Sequence, residues 1–392
     1  MPPYHPAPFP HGEARPASRR LALGIAAAAL CGLLSSLGVR PAAAQLAAPN
    51  GVPNGTPTGT HAPGAPEAPI RLRIVGGLGD LSQYLRHEVP FWTRTVPEFT
   101  GGRVQAEIAP FDRSGIRGPE MLQLMRLGVV PFGNALLAVA AADEPELNAI
   151  DLPVLNPDLA TLRRTTALWR PRLEALLRDR YGIELLAVYT YPAQVMFCRQ
   201  PFSGLADLAG RRIRTSSVGQ SELVAGIGAL PVVTAFTELV PAIRDGVVEC
   251  AITGALSGNA IGLPAVTSHL SRFAISWGVS IFGANDAAWN ALPEVVRDRL
   301  RTGLDRLQEE IWQAAERETE EGLACNTGGP GCTTGRRGRM TLVEERGRDQ
   351  APRVQLLRDV VLPGWVQRCG PDCSAAWNSF MAPSFGIWAK AD

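Results

Sequence analysis

Lysine is almost missing from this chain. Of 38 basic residues only Lys390 is a lysine, so arginine is the default cation and a lone arginine says little without its surroundings. Histidine is scarce too, with five residues at positions 5, 11, 61, 87 and 269. Few of these fall in the stretch with globular patterning, so a Ser-His-Asp set finds no support. The sequence also holds no Gly-x-Ser-x-Gly elbow, no Gly-x-x-x-x-Gly-Lys phosphate loop and no His-Glu-x-x-His pair. The glycines of "GGLGDL", residues 76–81, make a lone turn and not a dinucleotide fingerprint. Neither sign of charge is in surplus, with 38 basic against 37 acidic residues, so nothing points to nucleic acid or an anionic membrane surface as a partner. No catalytic residue, cofactor or metal site is expected.

What is present points to export. Arg19 and Arg20 precede an apolar run from Leu21 to Val39, and Ala42-Ala43-Ala44 offers a small-residue cleavage site before Gln45. About 20 apolar residues can span a bilayer, so a retained anchor is the rival reading. Glycine and serine interrupt the run, however, and its Ala-x-Ala end favours cleavage after Ala44. Ser18-Arg19-Arg20-Leu21 weakly resembles a twin-arginine signal, which leaves both the Sec and the twin-arginine route open. Loss of residues 1–44 leaves six cysteines, an even number that fits an oxidising compartment. Cys325 and Cys332 bracket "CNTGGPGC", and Cys369 and Cys373 bracket "CGPDC", so two short-range disulfides are the simplest pairing, with Cys198 and Cys250 left for each other. Zinc is the weaker alternative, because the histidines lie far from these clusters and no Cys-x-x-Cys occurs.

At 392 residues and 46% hydrophobic, the chain can bury a full core in two domains or lobes. Residues 45–68 are rich in Pro, Gly, Ala and Thr and read as a flexible tether. Order is expected from the alternating strand "IRLRIVGG", then a helix from about Ser82 to Phe99 with Leu85, Val89 and Trp92 at helical spacing. Strand "GGRVQAEIAPF" and helix "GPEMLQLMRLGVV" follow, and strands and helices alternate from there. That alternation predicts an α/β fold with largely parallel sheet. A helical segment from Pro293 to about Leu323, about 45 Å long, carries Val296, Leu300, Leu304, Leu307 and Ile311 on one face and can brace two lobes.

One run combines these signals. "FSGLADLAGRRIRTSS" and "GALPVVTAFTELVPAIRDGVVECAITGALSGN" form a short turn, a Gly-x-x-x-Arg strand, a Gly-Ala-x-Pro step and a Phe-x-Glu-Leu helix start. This succession, with "GGRVQAEIAPFDRSGIRGPEMLQLMRLGVV" before it, resembles the DctP-type extracytoplasmic solute receptors of tripartite ATP-independent periplasmic (TRAP) transporters, over about residues 70–325. The resemblance implies a two-lobe periplasmic-binding-protein fold of type II-like form. Residues 69–190 would form lobe 1, with 279–318 returning to it, and residues 191–278 lobe 2, with 319–392 packing on it. It further implies a periplasmic receptor that closes on a small organic acid and delivers it to membrane permease subunits. A ligand-sensing receptor for a signalling partner is the alternative, and an enzyme on the same bilobal fold a more distant one.

Residue by residue, Arg214 falls on the arginine that in the family pairs with the ligand carboxylate, a task suited to a planar fork of N–H donors. Gln194 stands where a second arginine is frequent, and Thr253 where an asparagine is common. Ser217 and Phe236 align with pocket positions. Trp277 and Tyr191, with Tyr189, lie near the expected crossovers and are expected to add apolar or stacking contacts. Fewer charges and more aromatics than usual suggest a monocarboxylate with an apolar body. Simple alternation places Arg212 and Arg214 on one face of the strand and Arg211 with Ile213 on the other.

Overall fold

Alternating apolar residues build the first strand, β1 (Ile70–Gly76), in which Leu72 and Ile74 are buried while Arg71 and Arg73 face solvent. This computed structural model describes residues 68–344 and 350–390. The expected leader, residues 1–44, and the tether apart from Ala68 lie outside the described residues. Strand β1 pairs in parallel with β2 (Val104–Pro110) and with β3 (Phe132–Leu136). Beyond them lie β4 (Ile183–Thr190) and β10 (Val279–Asn285), giving a five-stranded sheet in the order β2-β1-β3-β10-β4. A second sheet holds β5 (Gln194–Cys198), β6 (Arg212–Thr215), β7 (Leu230–Val233), β8 (Cys250–Gly254), β9 (His269–Ser271) and β11 (Thr341–Val343). Their order is β11-β9-β5-β8-β6-β7.

Both sheets are mixed, not largely parallel. β10 runs antiparallel to β3 and β4, and β5 runs antiparallel to β8 and β9. The cause is the path of the chain. A short link joins β4 in one sheet to β5 in the other, and the chain returns from β9 to β10, so each passage inserts a reversed strand.

The helical stretch after β1 also departs from the simple reading. It consists of wide π-type turns at Gln83–Glu88 and Phe91–Thr95 followed by an α-turn at Val96–Phe99. Pro90 and Pro97 have no N–H to give to the helical ladder, and wide turns alter which residues share a face. Leu85 is therefore 54% exposed, while Glu88, Trp92 and Val96 turn inward.

The long helix spans Glu294–Thr327 and braces both lobes. Val296, Leu300, Leu304, Leu307 and Ile311 pack in the core of the first sheet. Trp312 and Leu323 join the core that includes the second. Val188 in β4 donates to Gln308 Oε1 at 2.7 Å, and just before β5 Ala193 donates to Thr319 Oγ1 at 2.9 Å. Gly322 fits because any Cβ there would lie 2.2 Å from the Leu256 backbone nitrogen. Among the described residues the disulfides are Cys198–Cys250, Cys325–Cys332 and Cys369–Cys373, the first joining directly opposed residues of β5 and β8. The C-terminal helices reach residues near both sheets: Trp365 Nε1 donates to Pro145 O at 2.7 Å, and Arg368 pairs with Glu222.

Candidate ligand-binding site

A cavity of about 490 Å³, a normal size for a small-molecule site, lies between the loops that follow β1, β2 and β3 and the strand ends of the second sheet. Its most unusual resident is Arg214. Gly210, at φ 77°, turns the chain toward β6, where Ile213 is fully buried and Arg214 sits between Ala251 of β8 and Val232 of β7. Arg214 is 3% exposed. Its Nε donates to Thr234 O at 2.9 Å and its Nη1 to Ile252 O at 2.8 Å. No carboxylate among the described residues pairs with it, and burial alone draws its pKa down to about 10. Its Nη2 has no acceptor among the described residues. A buried cation held by neutral carbonyls, with one nitrogen unspent at a cavity wall, suits a ligand that brings the missing negative charge.

Two neighbours present donors beside it. Gln194 Oε1 accepts from Gln220 Nε2 at 2.6 Å and from Ser276 Oγ at 3.1 Å. Gln220 is itself fixed, because its Oε1 accepts from Ser216 N at 2.9 Å and Ser216 Oγ at 3.1 Å. The Gln194 oxygen is thus occupied, and its Nε2 lies in the lining with no acceptor among the described residues. Gly278, at φ 73°, permits this, since a Cβ there would stand 2.6 Å from Gln194 Nε2. Thr253 of β8 is 4% exposed, and its hydroxyl has no partner among the described residues.

The facing wall is apolar. Leu78, Leu81, Phe111, Ile116, Leu136 and Val139 supply it from the first sheet's loops, and Phe236 packs against Leu78, Leu81 and Tyr191. The Tyr191 hydroxyl accepts from Leu78 N at 3.5 Å. Behind this wall Glu88, 1% exposed, accepts from Gly77 N and Gln83 Nε2, each at 2.7 Å, and from Asn134 Nδ2 at 3.3 Å. Burial pushes its carboxyl up to about 7. At the return crossover, Asp151 accepts from Trp277 N at 3.0 Å and Gly278 N at 2.8 Å, and burial raises it to about 7 as well.

Of the expected site residues, Arg214, Gln194, Thr253, Phe236 and Tyr191 line the cavity. Ser217 and Trp277 do not. The Ser217 hydroxyl caps the helix Val218–Gly226 by accepting from Gln220 N, and its neighbour Ser216 takes the place in the lining. Trp277 is 4% exposed, turned into the core, with Nε1 donating to Asn156 O at 3.0 Å. Tyr189 is likewise buried, stacked on Phe282. Arg211 donates to the carbonyls of Gln200 and Pro201, and exposed Arg212 to those of Val247 and Gly246. Arg212 and Arg214 share a parity but not an environment, because the strand runs from solvent at its start to the cavity at its end. The whole first-sheet wall escaped the sequence reading. Its one signal was position: the loops "GGLGDL" and "FDRSGI" follow the carboxyl ends of strands, where open α/β sheets hold their ligands.

Comparison with known proteins agrees with this geometry. Residues 82–326 match bacterial extracellular solute-binding protein family 7, the DctP family, and the chain belongs to it. It is 24% identical over 230 residues to the C4-dicarboxylate-binding periplasmic protein DctP of Rhodobacter capsulatus, covering 58% of this chain and 68% of that one. The structure resembles DctP7 of Bordetella pertussis, an extracytoplasmic solute receptor binding pyroglutamic acid, with a TM-score of 0.68 at 20% identity over 79% of this chain and 99% of that one. It also resembles a TRAP periplasmic solute-binding protein of Rhodoferax ferrireducens with bound malonate, with a TM-score of 0.67 at 18% identity over 80% and 99%. Among the described residues no helix is long and apolar enough to cross a membrane.

Proposed function

We propose that this chain is a periplasmic receptor of a TRAP transporter, binding a small carboxylate between its lobes and delivering it to membrane permease subunits. The observation that carries the reading is Arg214, a buried guanidinium with no counter-charge among the described residues and one nitrogen open to the cavity. Family membership and the acids bound by similar proteins support it. In this role Arg214 grips the carboxylate, Gln194 and Thr253 donate to its oxygens, and the first lobe closes over the body of the solute. The links at residues 191–193 and 272–278 act as the hinge between lobes. No chemical step is assigned to any residue.

The test is a thermal-shift screen of exported protein against pyroglutamate, malonate and short-chain monocarboxylates, followed by calorimetry on the acids that stabilise it. A ligand well above its dissociation constant is expected to stabilise the fold by about 3 kcal/mol. Arg214→Lys, melting like the wild type, is expected to lose most of that shift. Equal affinity in Arg214→Lys and wild type would overturn the assignment of Arg214.

A further inference from the structure

This inference rests on the reading of the cavity as a carboxylate site and narrows it. We infer that the preferred ligand is a monocarboxylate with an apolar body, and that the cavity selects against dicarboxylates. The free polar atoms of Arg214, Gln194 and Thr253 lie on three strands that are consecutive in the sheet, β5, β8 and β6. All three offer donors: guanidinium Nη2, an amide whose oxygen is already occupied, and a hydroxyl. One carboxylate with two acceptor oxygens suits this set. Arg214 is the buried cation of the lining, so a single negative charge is compensated.

The opposite wall holds no buried cation among the described residues for a second carboxylate. Its apolar side chains strip hydration without replacing it. Its charged members are Asp112, whose carboxylate accepts from Gly79 N at 3.0 Å, and Arg117, which lies mostly in solvent and is already paired with Glu120. A diacid reaching across therefore meets the like charge of Asp112, a repulsive element of the kind that sets specificity, and an exposed arginine already shared with Glu120 and screened by solvent. An alkyl or aryl body instead removes apolar surface of Leu78, Phe111, Leu136 and Phe236 from water, along with its own.

Calorimetry with two shape-matched acids tests this, at a pH where both are fully ionised. Succinate and 4-methylpentanoate differ in that one carboxylate of the diacid becomes an isopropyl group. The expected result is binding of 4-methylpentanoate about tenfold tighter or more, and a gain of about fourfold per methylene along butanoate, pentanoate and hexanoate. Succinate binding as tightly or more tightly, with affinity still lost in Arg214→Lys, overturns this inference and leaves the carboxylate receptor standing. A flat methylene series also overturns it. Failure of every acid to bind removes both readings.

Discussion

The two walls of the cavity are made in different ways. On the second sheet, Arg214, Gln194 and Gln220 are held by hydrogen bonds to carbonyls and to one another, so their directions are set before any ligand arrives. On the first sheet, Leu78, Phe111, Ile116 and Leu136 come from loops and strand ends and hold their places by packing. One wall reads charge and orientation, and the other reads shape and hydrophobicity. Substitutions therefore act differently on the two walls: a change in the bonded wall alters a direction, while a change in the packed wall alters a volume.

The largest expected effect is at the cation. Arg214→Ala removes one partner of a buried charge-assisted pair and is expected to weaken carboxylate binding by about 2 to 5 kcal/mol in calorimetry. A loss no larger than that of a packed-wall variant such as Leu136→Ala would erase the distinction between the walls.

Next comes Glu88, the buried carboxyl behind the packed wall. Its carboxyl is raised from 4.5 to about 7 by burial, so between these values the folded state holds a proton that the unfolded chain releases. Its contribution to stability is therefore largest below pH 4.5, falls as pH rises toward 7 and is flat above that. Asp151 acts in the same sense from 3.8 to about 7. Glu88→Gln is expected to gain stability relative to wild type as pH rises from 5 to 8, measured by denaturant unfolding at each pH. The unpaired Oε1 of Gln83 and Oδ1 of Asn134 give the new amide acceptors. A difference that does not vary with pH would contradict the placement of this charge.

Smaller effects sharpen the contrast. Gln220→Ala takes a donor from Gln194 Oε1 and frees the amide to turn, at about 1 kcal/mol of ligand affinity. Arg211→Lys, three residues before the grip and with its side chain bonded to the carbonyls of Gln200 and Pro201, is expected to change affinity by less than about 0.5 kcal/mol. An Arg211 effect matching that of Arg214 would mean that the basic run acts as a patch.

On the bonded wall, Arg214, Gln194 and Thr253 were named through the family resemblance, from three strands spread over residues 194–254, while Gln220, which fixes Gln194, carried no signal of its own. Ser217 was misplaced by one residue for a physical reason: of two adjacent hydroxyls one must cap the helix, and the structure gives that task to Ser217 and the lining to Ser216. Trp277 lies at the return crossover as expected of an aromatic near a hinge, yet Asp151 holds its backbone and turns its ring inward. Leu78 and Leu136 look like core leucines in sequence, because an apolar wall has the same composition as a core. Glu88 was not singled out in the sequence, because nothing local marks a glutamate in a helical stretch as buried. The long helix was readable throughout, since five apolar residues at regular spacing leave it one face to bury.

The most direct measurement is a crystal structure of the protein with 4-methylpentanoate bound. The carboxylate is expected within about 3 Å of Arg214 Nη2, with Gln194 Nε2 donating to it and the isopropyl end against Leu78, Phe111 and Leu136. A carboxylate seated on Arg117, with the alkyl end toward Arg214, would contradict it.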